Sequence, residues 1–208
     1  GQSLGIDIDV FTDDGKSTSD SEKGELVVKS PFPSMPVKFW DDDNGQKYYN
    51  AYFTKFKNIW HHGDFIEKTS NNGFIMRGRS DATLNPGGVR IGTSEIYQQV
   101  EDIDFIIEGL VVGQNYDDDV RIILFVTTKN DEELDEDKIK SIKSRIRKNC
   151  SPKHVPSIIK KVPEIPRTKS GKIVELAVRK LINGEEINNK EAIANPDCLN
   201  YFRNLKDL

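Results

Sequence analysis

The sequence predicts an α+β protein: a small β unit followed by a compact α+β domain with a central mixed sheet and flanking helices. Three observations lead there. Through about residue 77, short runs of alternating apolar and polar residues are broken by Asp, Ser, Gly, Asn and Pro clusters. After Gly78, runs rich in β-branched residues alternate with segments of helical period. Between the two lies a short connector, which sets the units at 1–79 and 83–208, joined through 80–82.

In the first unit, Ile6, Ile8 and Val10 alternate with polar residues from Gly5 to Phe11, as in a half-buried strand. Asp13 to Lys23 is a loop, and Glu25 to Lys29 a second strand. Pro31, Pro33 and Pro36 hold an extended stretch before Phe39 and Trp40. Asp64–Lys68 and Phe74–Arg77 pair across the turn Thr69-Ser70-Asn71-Asn72-Gly73. No helical period precedes Gly78, so this unit is expected to be purely β and distorted barrel-like.

In the second unit, Asn85-Pro86-Gly87-Gly88 is a turn between Thr83-Leu84 and Val89-Arg90-Ile91. Thr93 is the expected N-cap of a helix carrying Ile96, Tyr97 and Val100. Phe105–Val112 and Arg121–Thr127 are expected central strands. Glu132–Lys148 is an expected amphipathic helix with acids in its first turns, Arg145, Arg147 and Lys148 in its last, and a stripe of Ile139, Ile142 and Ile146. Ile158–Val162 forms a further strand, and Glu175–Ile182 a helix stopped by Asn183-Gly184.

Composition narrows the function. The 208 residues are 31% charged and 36% hydrophobic, which suits a water-exposed globular protein. No apolar run reaches the 18–20 residues of a membrane span, and no signal-peptide pattern opens the sequence, so no membrane is expected. Cys150 and Cys198 form no CxxC pair, and His61, His62 and His154 show no metal-ligand spacing. The expected location is therefore a reducing cytoplasm, with no protein-bound metal. A formal charge of -4 and the lack of aromatics among the basic residues argue against nucleic acid. Charge is nonetheless uneven. Residues 1–50 hold ten acids and five bases, whereas Lys138 to Lys180 holds fourteen Lys or Arg and two acids.

Three segments carry chemistry. In Trp60-His61-His62-Gly63-Asp64, a carboxylate sits just after a glycine, where it can accept hydrogen bonds from two adjacent hydroxyls. In GRSDATLNPGGVRIGTSEIY (78–97), Gly78, Gly87, Gly88 and Gly92 permit unusual backbone angles or close ligand approach, beside Arg79 and Arg90. Pro166-Arg167-Thr168-Lys169-Ser170-Gly171-Lys172 presents a lysine next to a glycine within the basic stretch, a setting suited to phosphate.

In that order and at those spacings, the segments resemble the adenylate-forming superfamily of acyl-CoA synthetases, luciferases and adenylation domains. SPFPSMPVKFW (30–40), WHHGDF (60–65), SPKHVP (151–156) and the tail around Asn195-Pro196 and Tyr201-Phe202 are similar to its acetoacetyl-CoA synthetase branch. The resemblance covers essentially the whole chain, and nothing in it matches the superfamily's Ser/Thr/Gly-rich phosphate loop. It therefore implies a C-terminal fragment, inactive alone: the last β subdomain of a large N-terminal domain, then the whole mobile C-terminal domain.

What the resemblance implies for mechanism follows. The full-length enzyme would be a ligase joining acetoacetate to coenzyme A, with ATP, Mg2+ and coenzyme A as substrates. It would work through an acyl-adenylate and alternation of domains. Asp64 would hold the ribose hydroxyls and Arg79 would add a ribose contact. Lys172 would be the catalytic lysine of adenylation. Asp81 would be the hinge, Arg90 would meet nucleotide phosphate, and Gly87, Gly88 and Arg147 would meet coenzyme A, with Arg145, Lys148 and Lys153 equal to Arg147 in that role. His62 stands where the family usually has Thr or Ser, which removes a hydroxyl contact. Alternatives are a synthetase for acetate, propionate or another short acid, and a non-catalytic nucleotide- or coenzyme A-binding module.

Overall fold

The computed structural model describes residues 1–187, 190–203, 205 and 208. The chain divides into two compact units, Gly1–Asp81 and Ala82–Leu208.

In the first unit, strands β1 (Ile8–Phe11), β2 (Lys23–Val28), β3 (Trp60–Lys68) and β4 (Phe74–Arg79) form an antiparallel sheet in sequential order. Bulges between Glu25 and Val27 and between Phe65 and Ile66 bend it. The β3–β4 turn is the expected one: Thr69 and Gly73 close it through backbone, and the Thr69 hydroxyl accepts from Gly73 N–H at 2.9 Å. The β3–β4 ladder sets Asp64 directly opposite Arg79. Beneath the sheet, Glu25 is fully buried and takes Lys55 Nζ at 2.7 Å, His61 Nε2 at 2.8 Å and the Ser80 hydroxyl. Placing a cation against a buried carboxylate is what makes that burial tolerable.

One expectation fails in this unit. A helix, α1 (Gln46–Tyr52), interrupts the β pattern. The Asp42 carboxylate accepts from Lys47 N–H at 2.9 Å and Tyr48 N–H at 2.8 Å, satisfying amides that open the helix. Tyr48 and Tyr52, one turn apart, then meet Trp60, with Tyr52 stacked at 3.6 Å between ring centroids.

In the second unit, Leu84 and Ile91 exchange backbone bonds at 2.9 and 2.8 Å, closing the hairpin around Pro86–Gly88. Helix α2 (Thr93–Val100) follows. Thr93 is its first helical residue and Gly92 its N-cap, not Thr93 as expected, and the Glu95 carboxylate folds back to accept from Gly92 N–H at 3.1 Å. Strands β5 (Ile106–Tyr116), β6 (Asp119–Thr128) and β7 (Ile158–Lys161) form a mixed sheet, antiparallel between β5 and β6 and parallel between β6 and β7. Among the described strands of this sheet only β6 is flanked on both sides, so β5 is an edge rather than the central strand expected. Helix α3 (Glu136–Asn149) starts four residues later than the charge pattern suggests. Asp135 is its N-cap, accepting from Lys138 N–H at 2.8 Å, and Glu132 lies outside it, pairing with Lys138 Nζ at 2.9 Å. Helices α4 (Glu175–Ile182) and α5 (Leu199–Arg203) complete the unit.

The sheet is covered on both faces, which is why β6 reads as a continuous apolar run. Ile122, Leu124 and Val126 face Ile96, Val100, Ile142 and Ile146. Ile123 and Phe125 face Val178 and Phe202. Because Ile146 is fully buried, Ile146→Ala removes apolar contact and leaves a void; we expect a loss of about 3 kcal/mol in chemical denaturation. Burial, with the Glu164 and Asp197 carboxylates, pushes the Cys198 thiol up to about 11. It is therefore protonated and unreactive at neutral pH. Among the described residues, no helix is long and apolar enough to cross a membrane.

Candidate active site

In the first unit, the site is a carboxylate held by its own sheet. Asp64 Oδ1 meets Arg79 Nη1 at 3.3 Å, and Asp64 Oδ2 meets His62 Nε2 at 3.5 Å. Arg79 Nε lies 3.6 Å from Asp81, so Asp64, Arg79 and Asp81 form one chain of charge. The Trp60 indole donates to His62 Nδ1 at 3.2 Å. An indole can only donate, so Nδ1 accepts and the ring proton of neutral His62 sits on Nε2, facing Asp64. His62 thus turns a donor toward Asp64. Gly63 has φ +83°, a left-handed conformation that favours glycine, and a Cβ there would push aside the flexible Arg79 guanidinium. A recess of about 450 Å³ in this unit, lined by Met35, Tyr48, Tyr49, Phe53 and Trp60, includes neither Asp64 nor Arg79.

The lysine segment in the second unit is a tight hairpin. Thr168 N–H donates to Lys172 O at 2.8 Å, Gly171 N–H to Thr168 O at 2.8 Å, and Val174 N–H to Pro166 O at 3.0 Å. Gly171, at φ +84°, supplies the left-handed residue that a three-residue hairpin loop needs. The Arg167 guanidinium donates to Gly171 O at 2.6 Å and pairs with Glu108 on β5. The backbone is thus fixed, while the Lys172 side chain is exposed and bonds to nothing among the described residues. Just beyond the loop, Glu175 accepts from the Tyr97 hydroxyl, which itself accepts from Val111 N–H at 3.1 Å. Burial, then the Glu175 charge, holds the Tyr97 phenol well above its ordinary value, so it remains a donor throughout the working pH range.

The Gly87–Gly88 turn is held by a residue that sequence reasoning missed. The Asp119 carboxylate, at the β5–β6 turn, accepts Gly87 N–H with both oxygens, at 2.8 and 3.0 Å. Lys153 lies against the same turn, where a Cβ on Gly87 would strike its ammonium. Arg90 is half-buried, with Nε donating to Thr83 Oγ1 at 3.3 Å. Arg147 is exposed on α3, and no contact among the described residues joins it to the glycine turn. Asp119 carries a consequence for pH. The Gly87 amide, then the Val120 amide and the Lys153 charge, hold its carboxyl below the usual carboxylate value of about 3.9. A depressed folded-state pKa stabilises fully above the unfolded value and is lost as pH falls through the folded one, so the clasp is complete at neutral pH. Asp119→Ala is therefore expected to loosen the Gly87–Gly88 turn at pH 7, read as faster hydrogen exchange at the Gly87 amide. No group of three His, Cys, Asp or Glu among the described residues is placed to hold a metal ion.

No protein-family model matches the chain. It is 55% identical over its full 208 residues to the acetoacetyl-coenzyme A synthetase of Rhizobium meliloti (strain 1021), of which it covers 32%. It is 42% identical over 209 aligned residues to the acetoacetyl-CoA synthetase of Gallus gallus, covering 31% of that protein. The solved acetoacetyl-CoA synthetase from Streptomyces lividans superposes with a TM-score of 0.89 at 39% identity, over 96% of this chain and 30% of that one. A benzoate CoA ligase from Burkholderia xenovorans LB400 shares the fold, with a TM-score of 0.70 at 24% identity over 85% of this chain. Along its whole length the chain is a homologue of the acetoacetyl-CoA synthetases, with the fold of the C-terminal region of adenylate-forming enzymes, and it spans about a third of the length of the relatives it matches.

Proposed function

We propose that this chain supplies the ribose-holding and lysine-bearing portion of an AMP-forming ligase that joins acetoacetate to coenzyme A. The carboxylate of acetoacetate attacks the α-phosphorus of ATP, pyrophosphate leaves, and acetoacetyl-adenylate remains. The thiol of coenzyme A then attacks the acyl carbon, loses its proton and expels AMP. The observation that carries the reading is Lys172: its backbone is locked in a fastened hairpin and its ammonium is free to meet a developing anion. Asp64 accepts both ribose hydroxyls, with Arg79 beside it, and Arg90 meets nucleotide phosphate in one arrangement of the domains. Asp81 serves as the hinge, and Gly87 and Gly88 give the pantetheine thiol an unobstructed path. Lys153, which lies against that turn, joins Arg147 as a candidate for the phosphorylated end of coenzyme A. Mg2+ arrives with the ATP phosphates as part of the substrate. The free cysteines agree with a reducing cytoplasm.

The test is ATP–pyrophosphate exchange by the full-length enzyme across acetoacetate, acetate and propionate. Exchange is expected to be fastest with acetoacetate. Faster exchange with acetate or propionate would overturn the substrate assignment, and none with any acid would leave a binding module.

A further inference from the structure

The lysine hairpin does not stand alone. The segment from Ala192 to Asn195 runs beside it: Lys169 N–H donates to Ala192 O at 3.2 Å, and Ala194 N–H to Arg167 O at 2.8 Å. Thr168 and Ile193 form an antiparallel bridge. Ile193, only 5% exposed, anchors this segment in a small core with Ala177 and Leu199. At its end, the Asn195 side chain takes over where the backbone ladder stops. Its Oδ1 accepts from Arg167 N–H at 2.8 Å and its Nδ2 donates to Ile165 O at 3.0 Å. Both bonds fall on backbone leading into the lysine hairpin.

A primary amide satisfies both groups at once, because it alone among side chains of this size offers an acceptor and a donor in one plane. Without it, Arg167 N–H and Ile165 C=O, which flank the buried Pro166, lose their partners together. The hairpin holds Lys172 through backbone geometry alone, since the Lys172 side chain bonds to nothing among the described residues. Whatever fixes the stem therefore fixes the ammonium. A misplacement of about 1 Å in a group that must meet a transition state can cost about a hundredfold.

We propose that Asn195 is a positioning residue for Lys172, and that the 192–195 segment is the splint that presents the lysine loop for adenylation. The inference rests on the reading of Lys172 as the adenylating lysine. The loop side of this arrangement is local in sequence, but the clasp comes from 28 residues downstream.

The experiment uses the full-length enzyme with Asn195→Ala and Asn195→Asp, assayed separately for ATP–pyrophosphate exchange and for thioester formation from supplied acetoacetyl-adenylate. Asn195→Ala is expected to lower kcat for exchange about ten- to a hundredfold, with little change in KM for ATP and no change in the thioester step. Asn195→Asp keeps the acceptor for Arg167 N–H and loses the donor to Ile165 O, so it should recover part of the loss. It also serves if the alanine variant fails to fold. Hydrogen exchange should speed up in the peptide spanning 166–174 and stay unchanged in β5 and β6. Equal losses in both half-reactions would reduce Asn195 to a structural role and overturn the proposal, as would unaltered exchange kinetics. If Lys172→Ala itself leaves adenylation intact, the underlying reading fails and this proposal falls with it; if only the Asn195 variants are silent, the reading of Lys172 stands and the splint alone is wrong.

Discussion

In the full-length enzyme, Lys172→Ala is expected to slow adenylation about a thousandfold and leave thioester formation from supplied acetoacetyl-adenylate unchanged. The size follows from electrostatics. A lysine about 4 Å from a phosphate charge gains on the order of 4 kcal/mol at an effective dielectric near 20. If most of that is realised only in the transition state, the loss is roughly three powers of ten. The selectivity follows from the domain alternation proposed above, which withdraws the lysine before the thiol attacks. Lys169→Ala is the internal control, because its side chain is exposed on the same hairpin and shares the same basic surroundings. If Lys169→Ala costs as much as Lys172→Ala, the effect belongs to the general positive field and not to a positioned ammonium. If Lys172→Ala slows both half-reactions equally, the division of labour is wrong.

What sequence made legible, and what it did not, divides along the range of the interactions involved. The lysine hairpin could be read directly, because Thr168, Gly171 and Lys172 close it through bonds three or four residues apart. The facing of Asp64 and Arg79 was not, because the turn's register alone would set Asp64 opposite Gly78 and a bulge between Phe65 and Ile66 shifts the pairing by one. Helix α1 was missed because its opening amides are satisfied by Asp42, upstream of the helix, and its aromatics are ordered by Trp60 rather than by a polar–apolar stripe. The start of α3 was set too early because Glu132 and Glu133 resemble first-turn acids, whereas Glu132 lies in the approach and binds Lys138. Asp119 and Asn195 were illegible for the same reason. Their partners lie 32 and 28 residues away, and an isolated Asp in an acidic turn or an Asn before a proline carries no local sign of such a partner. Residues whose partners are near in sequence leave a local signature, while those whose partners are distant leave only tertiary contacts.

Asp64→Ala should differ from Lys172→Ala in kind, because the ribose is present in both halves of the reaction. Two hydroxyl-to-carboxylate hydrogen bonds, at about 1.5–3 kcal/mol each, represent at least about 3 kcal/mol of binding. The expected result is a loss of about a hundredfold or more in kcat/KM for ATP. A comparable weakening should appear for acetoacetyl-adenylate in the thioester step. Asp64→Asn separates charge from shape: it keeps one acceptor but loses the charge that Arg79 and His62 face at 3.3 and 3.5 Å. It should therefore lie between wild type and alanine. Arg79 has a side chain 55% exposed, so its own replacement by alanine is expected to cost far less than loss of Asp64. The deciding comparison is between half-reactions. A carboxylate that grips the ribose must matter in both, so an Asp64→Ala enzyme impaired only in adenylation would place Asp64 with Lys172 in the transition state for attack on ATP and refute its role as the anchor of the nucleotide.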